Sequence, residues 1–258
     1  MAKRIAVITG ASSGMGREFL LTLDSFGKYD EVWAIARRKE RLEELSGSSP
    51  FPVRALPMDL SAPESLSAYA KLLSEEEPEL GLLINASGFG KFEATLDTEL
   101  GDNLNMIDLN CRALAALCQS SVPYMPKGSR IINIASVAAF QPIPYINVYA
   151  ATKAFVLSYS RALNRELKGR GIGVTAVCPF WTKTEFFGRA IDPSKPKIVK
   201  KYAAMYDPKD IVRRAWADAK KGKDISMYGF KARGQKALVK LLPHSLVMSV
   251  WQRQQDLG

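Results

Sequence analysis

Short apolar, β-branched runs alternate along this chain with longer stretches whose apolar residues recur at helical spacing. Ile5–Thr9, Glu31–Ala36, a weaker Pro52–Pro57, Leu80–Ala86, Arg130–Ser136 and Ile172–Cys178 predict six strands. Between them, Arg17–Phe26, Arg38–Leu45, Ala62–Glu76, Asp102–Tyr124 and Val148–Leu167 predict helices. Near-continuous apolar runs such as Ile131-Ile132-Asn133-Ile134 suit strands covered on both faces. The regular alternation predicts an α/β protein with a parallel sheet between two helical layers. Beyond Pro179 the order fades, and prolines at 193, 196 and 208 among many lysines predict loop and short helix. No linker, repeat or low-complexity tract interrupts the 258 residues, so the chain is read as a single domain, 1–258.

Composition changes this picture in only a few places. With 47% apolar and 24% charged residues, the chain reads as an ordinary globular protein. Met1-Ala2-Lys3-Arg4 leads into an apolar run too short for a secretory leader, and no stretch is long enough to span a bilayer. Cys111, Cys118 and Cys178 are odd in number and lack metal-ligand spacing, which predicts reduced, buried thiols in a cytoplasmic protein. The single histidine, His244, lies between Pro243 and Ser245 and reads as a loop or surface residue. It leaves little for a Ser-His-Asp hydrolase or a zinc site, and no metal is expected. The net charge of +10 sits entirely at one end: residues 189–258 carry 16 Lys+Arg and 6 Asp+Glu, whereas residues 1–188 carry 20 of each. No nucleic-acid reading motif accompanies it, so no nucleic-acid partner is expected. A solvated basic surface and a surface for an anionic partner both remain open.

Candidate chemistry begins at the end of the first strand. Thr9-Gly10-Ala11-Ser12-Ser13-Gly14-Met15-Gly16 stands between a strand and a helix, where glycines admit a close backbone and the helix start offers free N–H groups to a phosphate. The spacing is Gly-x-x-x-Gly-x-Gly, not the Gly-x-Gly-x-x-Gly fingerprint. Arg37 and Arg38 follow the second strand, where an acidic residue would bind ribose hydroxyls and repel a 2′-phosphate. An arginine offers that phosphate a planar fork, so NADP(H) is preferred over NAD(H). Asp59-Leu60 closes the third strand, and its carboxylate could accept from an adenine amino group or cap the helix near Ala62. Asn85-Ala86-Ser87-Gly88 closes the fourth with small residues that permit a close backbone.

Tyr149 and Lys153 stand four residues apart on a predicted helix and share a face, and a nearby cation favours an ionised phenol. Such a pair makes a general acid/base. Ser136, at the end of the fifth strand, can offer a hydroxyl to a substrate oxygen.

Together these motifs resemble the short-chain dehydrogenase/reductase family, from Ile5 to about Thr184. Thr9-Gly10-x-x-x-Gly14-x-Gly16, Asp59, Asn85-Ala86-Ser87-Gly88, Asn110, Ser136, Tyr149 and Lys153 occur in the family order. The resemblance implies a seven-stranded, doubly wound, Rossmann-like sheet with a last strand near Asp224–Tyr228. It implies an NADP(H)-dependent oxidoreductase interconverting a carbonyl and an alcohol. In it Tyr149 would protonate the carbonyl oxygen, Ser136 would hydrogen-bond it, Lys153 would hold the nicotinamide ribose and depress the tyrosine pKa, and Asn110 would steady a water. Two departures stand out. Ala86 and Ser87 replace the middle of the usual Asn-Asn-Ala-Gly. In Pro179-Phe180-Trp181-Thr182-Lys183-Thr184, Phe180 replaces the glycine after the proline, while Pro179, Thr182 and Thr184 keep positions that would contact the cofactor.

The family resemblance divides the chain into a core, 1–184, and a variable lid, last strand and tail, 185–258. Phe186, Phe187, Ile191, Ile198, Val199, Tyr202, Met205 and Tyr206 either pack a lid on the core or line a pocket for a lipophilic carbonyl of steroid or 3-oxoacyl type. Reduction of small aldehydes and ketones is the nearest alternative, and a non-catalytic NADP(H) sensor or scaffold a more distant one. The helices Asp102–Tyr124 and Val148–Leu167 are apolar beyond one stripe, which predicts a homodimer or homotetramer built on them. Lys231, Arg233, Lys236 and Lys240 precede Leu241, Leu242, Leu246, Val247, Met248, Val250 and Trp251. This tail is read as a pocket wall in preference to a membrane-surface segment, its charge serving acidic substrates or surfaces, and Pro243 argues against one long helix.

Overall fold

The computed structural model describes residues 2–257. Its strands are β1 (Arg4–Thr9), β2 (Glu31–Ala36), β3 (Val53–Pro57), β4 (Glu79–Asn85), β5 (Arg130–Ile134), β6 (Gly173–Val177) and β7 (Ile225–Ser226). They form one seven-stranded sheet in the order β3-β2-β1-β4-β5-β6-β7, with every pairing parallel. The order reverses between β1 and β4, and at such a switch point the loops diverge and leave a crevice at the carboxyl ends of the strands.

The helices are α1 (Gly14–Leu21), α2 (Lys39–Glu43), α3 (Pro63–Glu76), α4 (Leu100–Ile107), α5 (Leu114–Ser121), α6 (Asn147–Glu166), α7 (Phe186–Ala190), α8 (Pro208–Lys220), α9 (Phe230–Leu241) and α10 (His244–Gln254). Side chains alternate across each strand, so two cores form. Ile5, Val7, Trp33 and Ile35 pack with Tyr69 and Leu73 of α3, Leu114 and Leu117 of α5 and Val156 of α6. Ala6, Ile8, Val32 and Ala34 pack on the other side with Phe19 and Leu20 of α1 and Ile211, Ala215 and Trp216 of α8. A third cluster joins Phe92, Ile143, Ile146, Ala190, Ile198, Val199 and Trp251 beyond the sheet edge.

Several expected elements differ in extent. The helix expected over 102–124 starts at Leu100, widens to a π-helical stretch over Asp108–Ala113, and tightens to a 3-10 turn over Val122–Tyr124, where it was expected to end. The helix expected over 17–26 starts earlier, at Gly14, because the third glycine is already inside its first turn. β5 stops at Ile134, and Ser136 instead caps a short turn, its Oγ accepting from the Ala138 N–H at 3.1 Å. The largest correction lies after Pro179, where loop and short helix were expected and α8, α9 and α10 stand. Pro208 begins α8 rather than breaking it. It occupies the first turn, where no N–H partner is needed, and the Asp207 carboxylate ahead of it accepts from Lys209 N–H at 2.8 Å. Pro243 separates α9 from α10, as its ring predicts.

Candidate active site

The glycine-rich turn does the packing its sequence asks for, though not quite for the expected reason. Gly10 has φ +65°, and a Cβ there would lie 2.8 Å from the Ala86 carbonyl group. A Cβ on Gly16 would collide with the Gly10 carbonyl. Both glycines are thus required by chain-on-chain contact, and no ligand need be invoked for them. Gly14, φ +54°, opens α1 and faces Thr184 across the crevice. The Thr9 hydroxyl accepts from the N–H groups of Ala86 and Ser87, both at 3.0 Å, and locks the turn to the end of β4. Ser13 caps α1 only through its backbone. Of this first turn, Met15 lines the cavity that also takes Ser136 and Tyr149, and the first N–H groups of a helix are free to bind an anion.

Around the second strand, Arg37 and Arg38 are exposed, as a phosphate fork requires. Arg38 reaches Ser12 Oγ at 3.4 Å. It also reaches Glu185, which takes Arg41 on both carboxylate oxygens at 2.9 Å and is held below the usual carboxylate range by Arg41 and then Arg38. Asp59 does not cap α3. Its Oδ1 accepts from the N–H and hydroxyl of Ser61 at 3.0 and 2.6 Å, and Ala62 begins the helix without a side-chain cap. Burial pushes the Asp59 carboxyl up, but Ser61, Arg37 and Arg189 together hold it below its ordinary value. Leu60 is buried in the core. Asn85 is likewise turned inward, donating to Asn133 Oδ1 at 2.9 Å; Ala86 and Gly88 line the cavity in its place.

Asn110 sits on the π-helical stretch and its amide is bonded at both ends. Oδ1 accepts from Phe89 N–H at 3.1 Å, while Nδ2 donates to the Phe89 carbonyl at 2.9 Å and to Thr152 Oγ1 at 3.0 Å. Thr152 in turn donates to the Tyr149 carbonyl at 2.8 Å, so Asn110 fixes the turn of α6 that carries the tyrosine. Gly88 owes its identity to the same residue: a Cβ there would lie 2.8 Å from Asn110 Oδ1.

Ser136, Tyr149 and Lys153 meet on the wall of one cavity of about 550 Å³. The Tyr149 ring lies among Phe92 and Phe186, with centroids 6.0 and 5.5 Å away. Lys153 is buried, its Nζ donating to the Ile134 carbonyl at 2.8 Å and standing 5.7 Å from the Tyr149 ring centroid. Burial lowers the ammonium to about 8, with the Cys111 and Cys178 sulfurs acting the other way. Tyr149 departs from the expected direction. Burial pushes its phenol up to about 12, and the group that opposes this is the Ser136 hydroxyl. The expected depression by Lys153 is not seen, because the ammonium is directed at a backbone carbonyl and the aromatic cage disfavours a phenolate.

Pro179, Thr182 and Thr184 also line the cavity. Phe180 fills the glycine position without strain, since among the described residues only Glu77, Tyr145 and Asp256 outside glycine have positive φ. Its ring becomes cavity wall beside Trp181 and Tyr206.

The chain matches the family profile described as short chain dehydrogenase over residues 4–194. It belongs to the short-chain dehydrogenase family. An uncharacterized oxidoreductase of Staphylococcus epidermidis is 28% identical over 179 residues, covering 69% of this chain and 77% of that protein. A short-chain dehydrogenase from Sphingobium yanoikuyae, solved in complex with NADPH, is 30% identical with a TM-score of 0.76, over 94% of this chain and 97% of that one. A bulky-bulky ketone specific alcohol dehydrogenase from Comamonas testosteroni is 25% identical with a TM-score of 0.69, over 93% and 96%. Other structures of this fold hold NAD. The protein is therefore a nicotinamide-dependent oxidoreductase acting between carbonyl and alcohol.

Sequence reasoning missed Arg41, Glu185, Arg189 and Gly90. A Cβ on Gly90 would lie 2.9 Å from the Tyr149 ring. Arg189 of α7 lies over the Phe89 ring at 3.4 Å and donates to Asn105 Oδ1 at 3.3 Å. Glu185 and Arg189 gave no local signal, because their partners Arg38, Arg41, Phe89 and Asn105 lie far away along the chain.

Proposed function

We propose that this oxidoreductase uses NADP(H) to reduce a lipophilic ketone, of steroid or 3-oxoacyl type, to a secondary alcohol. The observation that carries the substrate class is the cavity. Beside Ser136 and Tyr149 its lining includes Phe92, Phe186, Trp181, Val239, Val247 and Trp251. Apolar walls of this extent favour a bulky apolar ligand over a small polar one. The tail is part of those walls. Trp251 Nε1 donates to the Pro144 carbonyl at 3.1 Å, and Gln255 Oε1 accepts from the N–H groups of Lys200 and Lys201 at 2.8 and 2.9 Å.

The donor set fits a dinucleotide with a 2′-phosphate. The first turn of α1 would take the pyrophosphate, Ser12, Arg37 and Arg38 the 2′-phosphate, Asp59 and the Leu60 backbone the adenine end, and Lys153 the nicotinamide ribose. Ala86, Gly88, Pro179, Thr182 and Thr184 would flank the nicotinamide. When bound and reduced, that cofactor supplies a hydride. Tyr149 then donates its phenolic proton to the substrate oxygen, and a phenol held near 12 stays protonated through the neutral range. The Ser136 hydroxyl beside it orients that oxygen. Lys153 and Asn110 hold α6 and the ribose in place; any water steadied near Asn110 rests on backbone, since the side-chain amide is already paired.

A cofactor-oxidation screen tests this reading. Steroids and 3-oxoacyl thioesters should outrun small aldehydes in kcat/KM, and NADPH should outrun NADH by about tenfold or more, the worth of one charge-assisted phosphate contact. Faster turnover of small aldehydes, or equal use of both cofactors, contradicts it.

A further inference from the structure

The tail has a second face. On α9, Ala232 and Val239 point inward, whereas Phe230, Leu238 and Leu241 recur at helical spacing on the opposite side, 78%, 55% and 81% exposed. On α10, Val247 and Trp251 are buried, while Leu246 and Val250 lie open at 47% and 43%. Phe230, Leu238 and Val250 are also cavity wall, so this apolar face is the rim of the cavity mouth.

Its charge is one-sided. From Phe230 to Gln254 there are Lys231, Arg233, Lys236, Lys240 and Arg253, and no acidic residue. None of these five ion-pairs with a carboxylate among the described residues, whereas Lys201, whose N–H donates to Gln255 just past α10, does. Lys231 follows Phe230 on one flank of the apolar stripe, and Arg233 and Lys240 lie on the other. An exposed apolar stripe flanked by cations that make no ion pair among the described residues matches the acyl-headgroup boundary of an anionic bilayer. A second copy of the chain fits it poorly. A two-fold interface would set this patch against itself and bring like charges together.

We infer that α9 and α10 dock the enzyme on an anionic lipid surface, with the cavity mouth facing the lipid so that an apolar substrate enters from the bilayer. The entry route rests on the lipophilic-ketone reading; the docking itself does not.

Vesicle co-sedimentation tests it on the intact protein. Vesicles of phosphatidylcholine with phosphatidylglycerol should carry the protein down at low salt. High salt, or phosphatidylcholine alone, should release it. Leu241→Asp and Leu246→Asp, neither on the cavity wall, should each weaken partitioning about tenfold while leaving NADPH-dependent turnover of a water-soluble ketone unchanged. Absence of binding to the anionic vesicles overturns the proposal, as does binding unaffected by both substitutions. A wild-type oligomer that Leu241→Asp converts to monomer assigns the face to a second copy and overturns it too. Vesicle binding by an enzyme that reduces only small aldehydes would leave the docking intact and remove the substrate class.

Discussion

Lys153 spends its buried ammonium on the Ile134 carbonyl, 2.8 Å away at the end of β5, instead of on Tyr149 four residues before it. The bond fixes where the charge sits, and burial holds its pKa near 8. Lowering a lysine pKa on folding costs stability. The unfolded chain keeps the proton up to about 10.5 and the folded one releases it near 8, so this contribution improves as pH rises through that window and is fully unfavourable below it. Lys153→Met should therefore abolish turnover yet raise the unfolding midpoint at neutral pH, by an amount equivalent to at most about 3 kcal/mol. Thermal unfolding of the two proteins side by side checks this; a strongly lowered midpoint contradicts it.

Glu185 pairs with Arg38, one of the two arginines proposed for the 2′-phosphate, and with Arg41 of α2. If Arg38 takes that phosphate, the Glu185 carboxylate competes with it for the same guanidinium. Glu185→Gln should tighten NADPH by about two- to fivefold, the usual worth of an exposed ion pair, and leave NADH unchanged. Arg37→Asp should act oppositely, weakening NADPH and helping NADH. Fluorescence titration with both cofactors reads both effects, and equal changes for NADPH and NADH in Glu185→Gln would remove the competition.

Trp251 joins the tail to the loop before α6 and forms cavity wall, yet lies far along the chain from the nucleotide loop. Trp251→Ala should raise KM for a bulky ketone about tenfold or more through lost apolar contact, with the NADPH dissociation constant unchanged. A parallel rise in both constants would mean that the tryptophan supports the whole fold.

Leu100, Leu104 and Ile107 of α4 and Phe155 of α6 are exposed on the helices expected to build an oligomer. We expect a homodimer or homotetramer through this face, because a cluster of large apolar side chains facing water is costly to leave uncovered. Leu104→Glu combined with Phe155→Glu should give monomers in light scattering at micromolar concentration. A wild-type protein that is already monomeric there contradicts the assignment.

The glycine turn and the Tyr149/Lys153 pair were legible because their signals are local. A strand, a glycine turn and a helix start lie within a dozen residues at β1, and Tyr149 and Lys153 are one helical turn apart. Pro208 misled because a proline marks a helix start as readily as a loop, and the Asp207 cap ahead of it decides between them. The Tyr149 pKa was not legible at all. Its cage joins Phe92, Phe186 and α6, three segments that only the fold brings together. The same holds for Glu185, whose arginine partners precede it by more than a hundred residues.

Tyr149 is the proposed proton donor, and Tyr149→Phe tests that role most directly. The substitution keeps the ring packed against Phe92 and Phe186 and removes only the phenolic oxygen. Single-turnover reduction of the best ketone found in the screen, measured beside NADPH binding by the same protein, should show turnover lower by about 100-fold or more with the dissociation constant unchanged. Turnover within a few-fold of the unmodified enzyme would contradict the account, because the acid would then have to be another group.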